Sequence, residues 1–104
     1  MKKSVIAKVG VKNEEKIIDR LLSALDQFCE KIIIVDDGST DSTENICRSY
    51  DRVEWHKNIE HDWRIRCDGN QHMIAIEAIK PHNPDYILSL DADEIPFKNM
   101  PDFI

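Results

Sequence analysis

Apolar residues in this chain follow two rhythms. Short runs rich in β-branched residues alternate with longer stretches in which apolar positions recur every three or four residues. That alternation predicts β-α-β units around a parallel sheet rather than a bundle or a sandwich. Ser4 to Val9 reads as a first strand, and beyond Lys12-Asn13 the residues Ile17, Ile18, Leu21, Leu22, Leu25 and Phe28 fall at helical spacing. Lys31-Ile32-Ile33-Ile34-Val35 is nearly continuous in apolar character, as in a strand buried on both faces. It runs into Asp36-Asp37-Gly38-Ser39-Thr40-Asp41 ahead of a second helix through Ile46 and Cys47. Gly38 permits a tight turn there, and Asp41 or Ser39 is the expected helix cap. A short strand around Arg52 to Trp55 follows, then an irregular polar stretch from His56 to Gly69. A helix from Asn70 to Lys80, stopped by Pro81 and Pro84, leads into a fourth strand from Tyr86 to Leu90. No repeat or low-complexity segment interrupts this order.

The fourth strand delivers Asp91-Ala92-Asp93, two carboxylates at alternate positions where a buried strand emerges into solvent. Residues two apart in an extended segment point the same way, so both carboxylates can face one ion. Hard oxygen ligands suit Mg²⁺ or Mn²⁺ better than softer metals. Loop solvation or helix capping is the competing reading of an isolated Asp-x-Asp. Its upstream partner matters here. Open parallel sheets build ligand sites outside the carboxyl ends of their strands, and a strand order of 3-2-1-4 would bring Gly10 to Glu14, Asp36-Asp37 and Asp91 to Asp93 to one rim.

Length fits one domain over residues 1–104, large enough to bury about two-thirds of the surface its unfolded chain exposes. The chain carries 20 Asp and Glu against 14 Lys and Arg, a net charge of -6. With no basic stripe, that balance argues against a general nucleic-acid or anionic-membrane surface. No signal-peptide core and no apolar run long enough to span a bilayer is visible, so a cytoplasmic location is expected, with attachment to the inner face of a membrane as a variant of it. Cys29, Cys47 and Cys67 are odd in number and widely spaced, which excludes a disulfide framework and a Cys-x-x-Cys metal knuckle and predicts free, partly buried thiols.

Lys12-Asn13-Glu14 after the first strand, Val35-Asp36-Asp37-Gly38-Ser39-Thr40-Asp41 after the second and Leu90-Asp91-Ala92-Asp93 after the fourth resemble, in order and spacing, the family 2 glycosyltransferases of GT-A fold. Either acidic motif alone would be weak; Asp-Asp-Gly-Ser-Thr-Asp followed by Asp-Ala-Asp about 55 residues later is specific. The resemblance implies a Rossmann-like nucleotide-binding half, with a mostly parallel sheet of four strands flanked by helices. It implies a nucleotide-sugar donor, with UDP the expected carrier, and an acceptor glycan or lipid-linked sugar. By the same carry-over Asp37 hydrogen-bonds the base, Asp36 supports the turn, Asp91 meets the ribose or the metal, and Asp93 ligates a divalent cation, Mn²⁺ or Mg²⁺. The implied nucleotide-binding set is Gly10, Lys12, Glu14, Asp37, Arg64, Arg66, His72, Asp91 and Ala92, with Asp91 and Asp93 as metal ligands.

The chain departs from the family in places. A Pro and an aromatic usually precede Asn-Glu, whereas here the segment is Gly10-Val11-Lys12-Asn13-Glu14, so a base-stacking ring is missing and Lys12 is expected to reach toward phosphate. Arg64 and Arg66 lie where a basic side chain often contacts the diphosphate, and His72 lies near a common Arg. The competing reading is a solvated loop and a helix-face His. Trp55 and Trp63 are candidates for lining a sugar pocket or for packing beside the core. Inverting members use a carboxylate base on a later segment; Glu94 is a candidate, but its place beside the metal acids favours support or capping. Two readings of function follow. One is the donor-binding portion of a glycosyltransferase acting by metal-assisted inverting displacement. The other is a non-catalytic nucleotide-binding or scaffold domain that keeps the fold. A phosphotransferase with Asp91 as nucleophile is opposed by Ile95 at the next alternate position, where a Thr is expected. A sheet lacking its continuation would also leave an edge or apolar face uncovered, which predicts self-association.

Overall fold

The computed structural model describes residues 3–58 and 68–93, with side chains of the second segment described from residue 73 onward. The elements run β1 (Val5–Val11), α1 (Ile18–Leu25), β2 (Lys31–Asp36), α2 (Thr43–Arg48), β3 (Val53–Lys57), α3 (Asp68–Ile79), a short 3₁₀ turn (Lys80–His82) and β4 (Tyr86–Asp91). The four strands form one sheet in the order β3-β2-β1-β4, with every pairing parallel.

The apolar rhythm explains this architecture. Successive side chains of a strand point to opposite faces, so a central strand covered by helices on both sides needs apolar residues at every position. In β1, Val5, Ala7, Val9 and Val11 join one core with Ile18, Leu21, Leu22 and Leu25 of α1 and Cys47 of α2. Ile6 faces the other way, onto a smaller core with Ile33, Val35, Ala75 and Ile79. β2 divides likewise, Ile32 and Ile34 to the first core and Ile33 and Val35 to the second. The α1 positions follow i, i+3, i+4, i+7, one stripe of a helix. Truncating a side chain such as Leu22 to Ala in this setting costs about 2–5 kcal/mol. Cys29 and Cys47 are free and buried, and burial pushes both thiols up to about 12. Cys67 lies outside the described residues.

Three expectations are adjusted. α1 ends at Leu25, so Phe28 packs on the core from the turn after the helix rather than from the helix itself. Pro81 does not stop the third helix outright. It sits within the 3₁₀ turn, where its missing N–H is tolerated near a helical start, and Asn83 then reverses the chain at φ 45°. β4 is also less covered than its apolar run implies: Tyr86 and Ile87 are 47% and 49% exposed, because among the described residues β4 pairs only with β1. Among these residues no helix is long and apolar enough to cross a membrane.

Candidate functional site at the carboxyl rim of the sheet

Register fixes which strand ends meet. Gly10 is level with Val35 on one side and Asp91 on the other, and Val11 is level with Asp36. The expected order thus brings the segments after β1, β2 and β4 to one rim. Gly10 offers no side chain at the point where β1 faces Asp91.

Asp36 and its turn form the middle of this rim. Its carboxylate is buried, 3% exposed, and accepts hydrogen bonds from the backbone N–H groups of Gly38 and Ser39 and from the Ser39 hydroxyl. Gly38 is at φ +106°, a conformation that side chains rarely adopt, although a Cβ there would meet nothing within 4 Å. The turn needs glycine for its backbone, not for space.

The β1–α1 loop is latched onto this turn. Asn13, itself left-handed at φ 53°, accepts at Oδ1 from the Thr40 backbone N–H at 2.8 Å, and its own N–H donates to Ser39 Oγ at 2.8 Å. The Glu14 N–H donates to Thr43 Oγ1 at 2.8 Å, and the Glu14 carbonyl accepts from Ile17 and Ile18 as α1 begins. The Ser42 N–H reaches Glu15 Oε2 at 3.0 Å. Asp41 accepts from the Thr43 N–H and hydroxyl, and the hydroxyl bond above all holds its carboxyl below the usual range. Of the two expected caps, then, Asp41 serves the first turn of α2, while the Ser39 hydroxyl is committed to Asp36 and Asn13.

Asp37 stands beside this turn, half-buried. Its N–H donates to the Val11 carbonyl at 3.0 Å, and its Oδ1 accepts from Asn58 Nδ2 at 2.9 Å. Asn58 also donates its backbone N–H to the Asp36 carbonyl at 2.8 Å, tying the end of β3 into the rim. The sequence reading passed over Asn58; its one signal is a polar amide immediately after a strand, where such sheets place ligand contacts.

The remaining candidates are placed as follows. Lys12 is exposed at the start of the β1–α1 loop. Asp91 and Asp93 are exposed on either side of Ala92, whose methyl is buried in the larger core at 5% exposure, so any ligand contact by Ala92 falls to its backbone. Trp55 packs against the core from β3, the packing alternative. His72 lies on α3, with its side chain outside the described residues. Arg64, Arg66, Trp63 and Glu94 lie outside them altogether. Among the described residues no three His, Cys, Asp or Glu side chains cluster as a ready metal cage. Two exposed carboxylates are nevertheless the donor set that Mg²⁺ or Mn²⁺ uses when substrate phosphates and water complete the coordination. The pair fits such a cation.

A parallel sheet in this order, flanked by helices, is an α/β fold of the GT-A kind. The chain belongs to glycosyl transferase family 2, whose profile matches residues 9–101. Among solved structures, S. aureus TarS (residues 1–349) is similar with a TM-score of 0.72 and 24% identity, over 96% of this chain and 30% of that one. Glucosyl-3-phosphoglycerate synthase from Mycobacterium tuberculosis, solved with Mn²⁺, UDP and glucosyl-3-phosphoglycerate, is similar with a TM-score of 0.64 and 17% identity, over 88% of this chain and 34% of that one. The same enzyme with Mg²⁺ and UDP gives 0.64 and 17%, over 89% and 34%. This chain therefore spans about a third of the length of the solved structures it matches. A comparison with curated proteins finds no match.

Proposed function

We propose that this chain forms the donor-binding part of a glycosyltransferase that moves a sugar from a nucleoside diphosphate, with UDP the expected carrier, to an acceptor hydroxyl. The observation that supports the reading is that the strand registers set Gly10 level with Asp91 and Val11 level with Asp36, with the Asp37 N–H bonded to the Val11 carbonyl at 3.0 Å. In this reading Asp37 accepts a hydrogen bond from the base and Asp36 keeps its turn in place. Gly10 leaves the crevice open, and Lys12 offers a positive charge to the diphosphate. Asp91 and Asp93 would hold a divalent cation, which when bound offsets charge building on the departing diphosphate as a Lewis acid. A cation fits here for a further reason: a net charge of -6 and a rim of carboxylates would otherwise repel the donor.

Titration calorimetry with UDP, GDP, CDP and dTDP, each with and without Mn²⁺, tests this. Binding of one nucleotide that requires Mn²⁺ and is lost in Asp93→Ala is the expected result. Binding by none of the four would sink the donor reading and leave a domain that keeps only the fold. Metal-dependent binding without sugar transfer to any hydroxyl would instead favour the non-catalytic alternative.

A further inference from the structure

We infer that Asn58 is a positioning residue for nucleotide-base selection, acting by fixing the carboxylate of Asp37; the inference rests on the donor reading above. Asn58 is anchored first. Its backbone N–H donates to the Asp36 carbonyl at 2.8 Å, so its Cα is fixed against the end of β2 by a bond that its side chain does not influence. From that anchor Nδ2 reaches Asp37 Oδ1 at 2.9 Å. The backbone of Asp37 is pinned independently, by its N–H to the Val11 carbonyl at 3.0 Å.

A carboxylate on a fixed backbone still has two torsions, and a directional donor such as the Asn58 amide restrains the broad second one. An amide N–H at Oδ1 needs an acceptor there, which Asp37 supplies. Held this way, Asp37 recognises a base that presents an N–H, as uracil does at N3, and rejects one that presents a lone pair at that position, as cytosine does. Discrimination arises because a base that covers the half-buried Asp37 without pairing with it strips water from the carboxylate and returns no hydrogen bond. Asn58 touches Asp37 rather than the base, so its removal should blur selection while leaving the diphosphate end of the site intact.

The test measures binding of UDP and of N3-methyl-UDP to the full chain in Mn²⁺, for wild type, Asn58→Ala and Asn58→Asp. Wild type should prefer UDP by at least about tenfold, the worth of one hydrogen bond to a charged group. Asn58→Ala should lose most of that preference while keeping its Mn²⁺ requirement. Asn58→Asp sets two carboxylates against each other, so its UDP affinity should rise as pH falls and a shared proton restores a donor between them, a trend absent in wild type. Should the alanine variant fail to fold, the pH profile of the aspartate variant decides. Equal weakening of both nucleotides in Asn58→Ala, or a pH profile like wild type in Asn58→Asp, overturns the inference and leaves the donor reading standing. Wild type that binds UDP without preferring it to the N-methyl form does the same. Wild type that binds neither nucleotide overturns both.

Discussion

Asp36 and Asp37 are adjacent carboxylates with opposite tasks. Asp36 is buried and turns back to accept from Gly38 and Ser39, so its charge is used up within its own loop. Asp37 is half-buried, faces Asn58 and stands at the rim. Local sequence cannot assign which of two neighbouring acids does which; the strand pleat does, by sending one inward and the next aside. Asp41 shows the same economy of position. Because the Thr43 hydroxyl bond holds its folded-state carboxyl below the ordinary value, Asp41 contributes stability that is present above that value and lost as pH falls through the folded one. Urea denaturation at pH 7 and at about pH 3 should show a shallower acid loss for Asp41→Asn than for wild type. An unchanged acid slope would mean that the Thr43 bond also persists in the unfolded chain.

At the scale of elements, the working unit is the pair of loops after β1 and β2, not either helix. Asn13 joins them while holding a left-handed backbone, which Asn tolerates better than most side chains. Asn13→Ala should destabilise the fold by about 2–3 kcal/mol, the sum of a strained backbone and an unpaired Thr40 N–H. Asn13→Gly should recover the backbone part, about 1 kcal/mol, but not the rest. Equal losses in both variants, measured by chemical denaturation, would show that backbone strain plays no part. The strands and their order were legible in the sequence, since burial on two faces writes a continuous apolar run such as Ile32 to Val35. The pattern of alternate carboxylates held only as far as Asp91, which ends β4 level with Gly10; Ala92 and Asp93 already lie in a turn, where strand alternation no longer sets their direction. The latch was not legible: Asn13 meets Thr40, and Asp37 meets Asn58, across 27 and 21 residues, and a hydrogen bond at that separation leaves no period to read. Ser39 misled as a cap because its hydroxyl serves Asp36 and Asn13 equally well.

For the whole molecule, the sheet is asymmetric. β3 and β4 are both at edges among the described residues, but β4 carries Tyr86 and Ile87 half in solvent. An edge strand with apolar side chains and unpaired backbone groups is a template for another chain. This 104-residue chain, purified alone, should therefore self-associate, and Ile87→Lys should shift it toward monomer. Light scattering that reports a clean wild-type monomer at high concentration would refute this. The latched loops have a kinetic consequence as well. Asn13, Ser39, Thr40 and Thr43 tie the loops after β1 and β2 to each other by direct hydrogen bonds. On the proposed donor reading, an arriving nucleotide need not wait for these loops to assemble. In stopped-flow mixing, the observed association rate should climb linearly with nucleotide concentration and never level off. A plateau would mean that a slow rearrangement, and not encounter, governs how fast this rim fills.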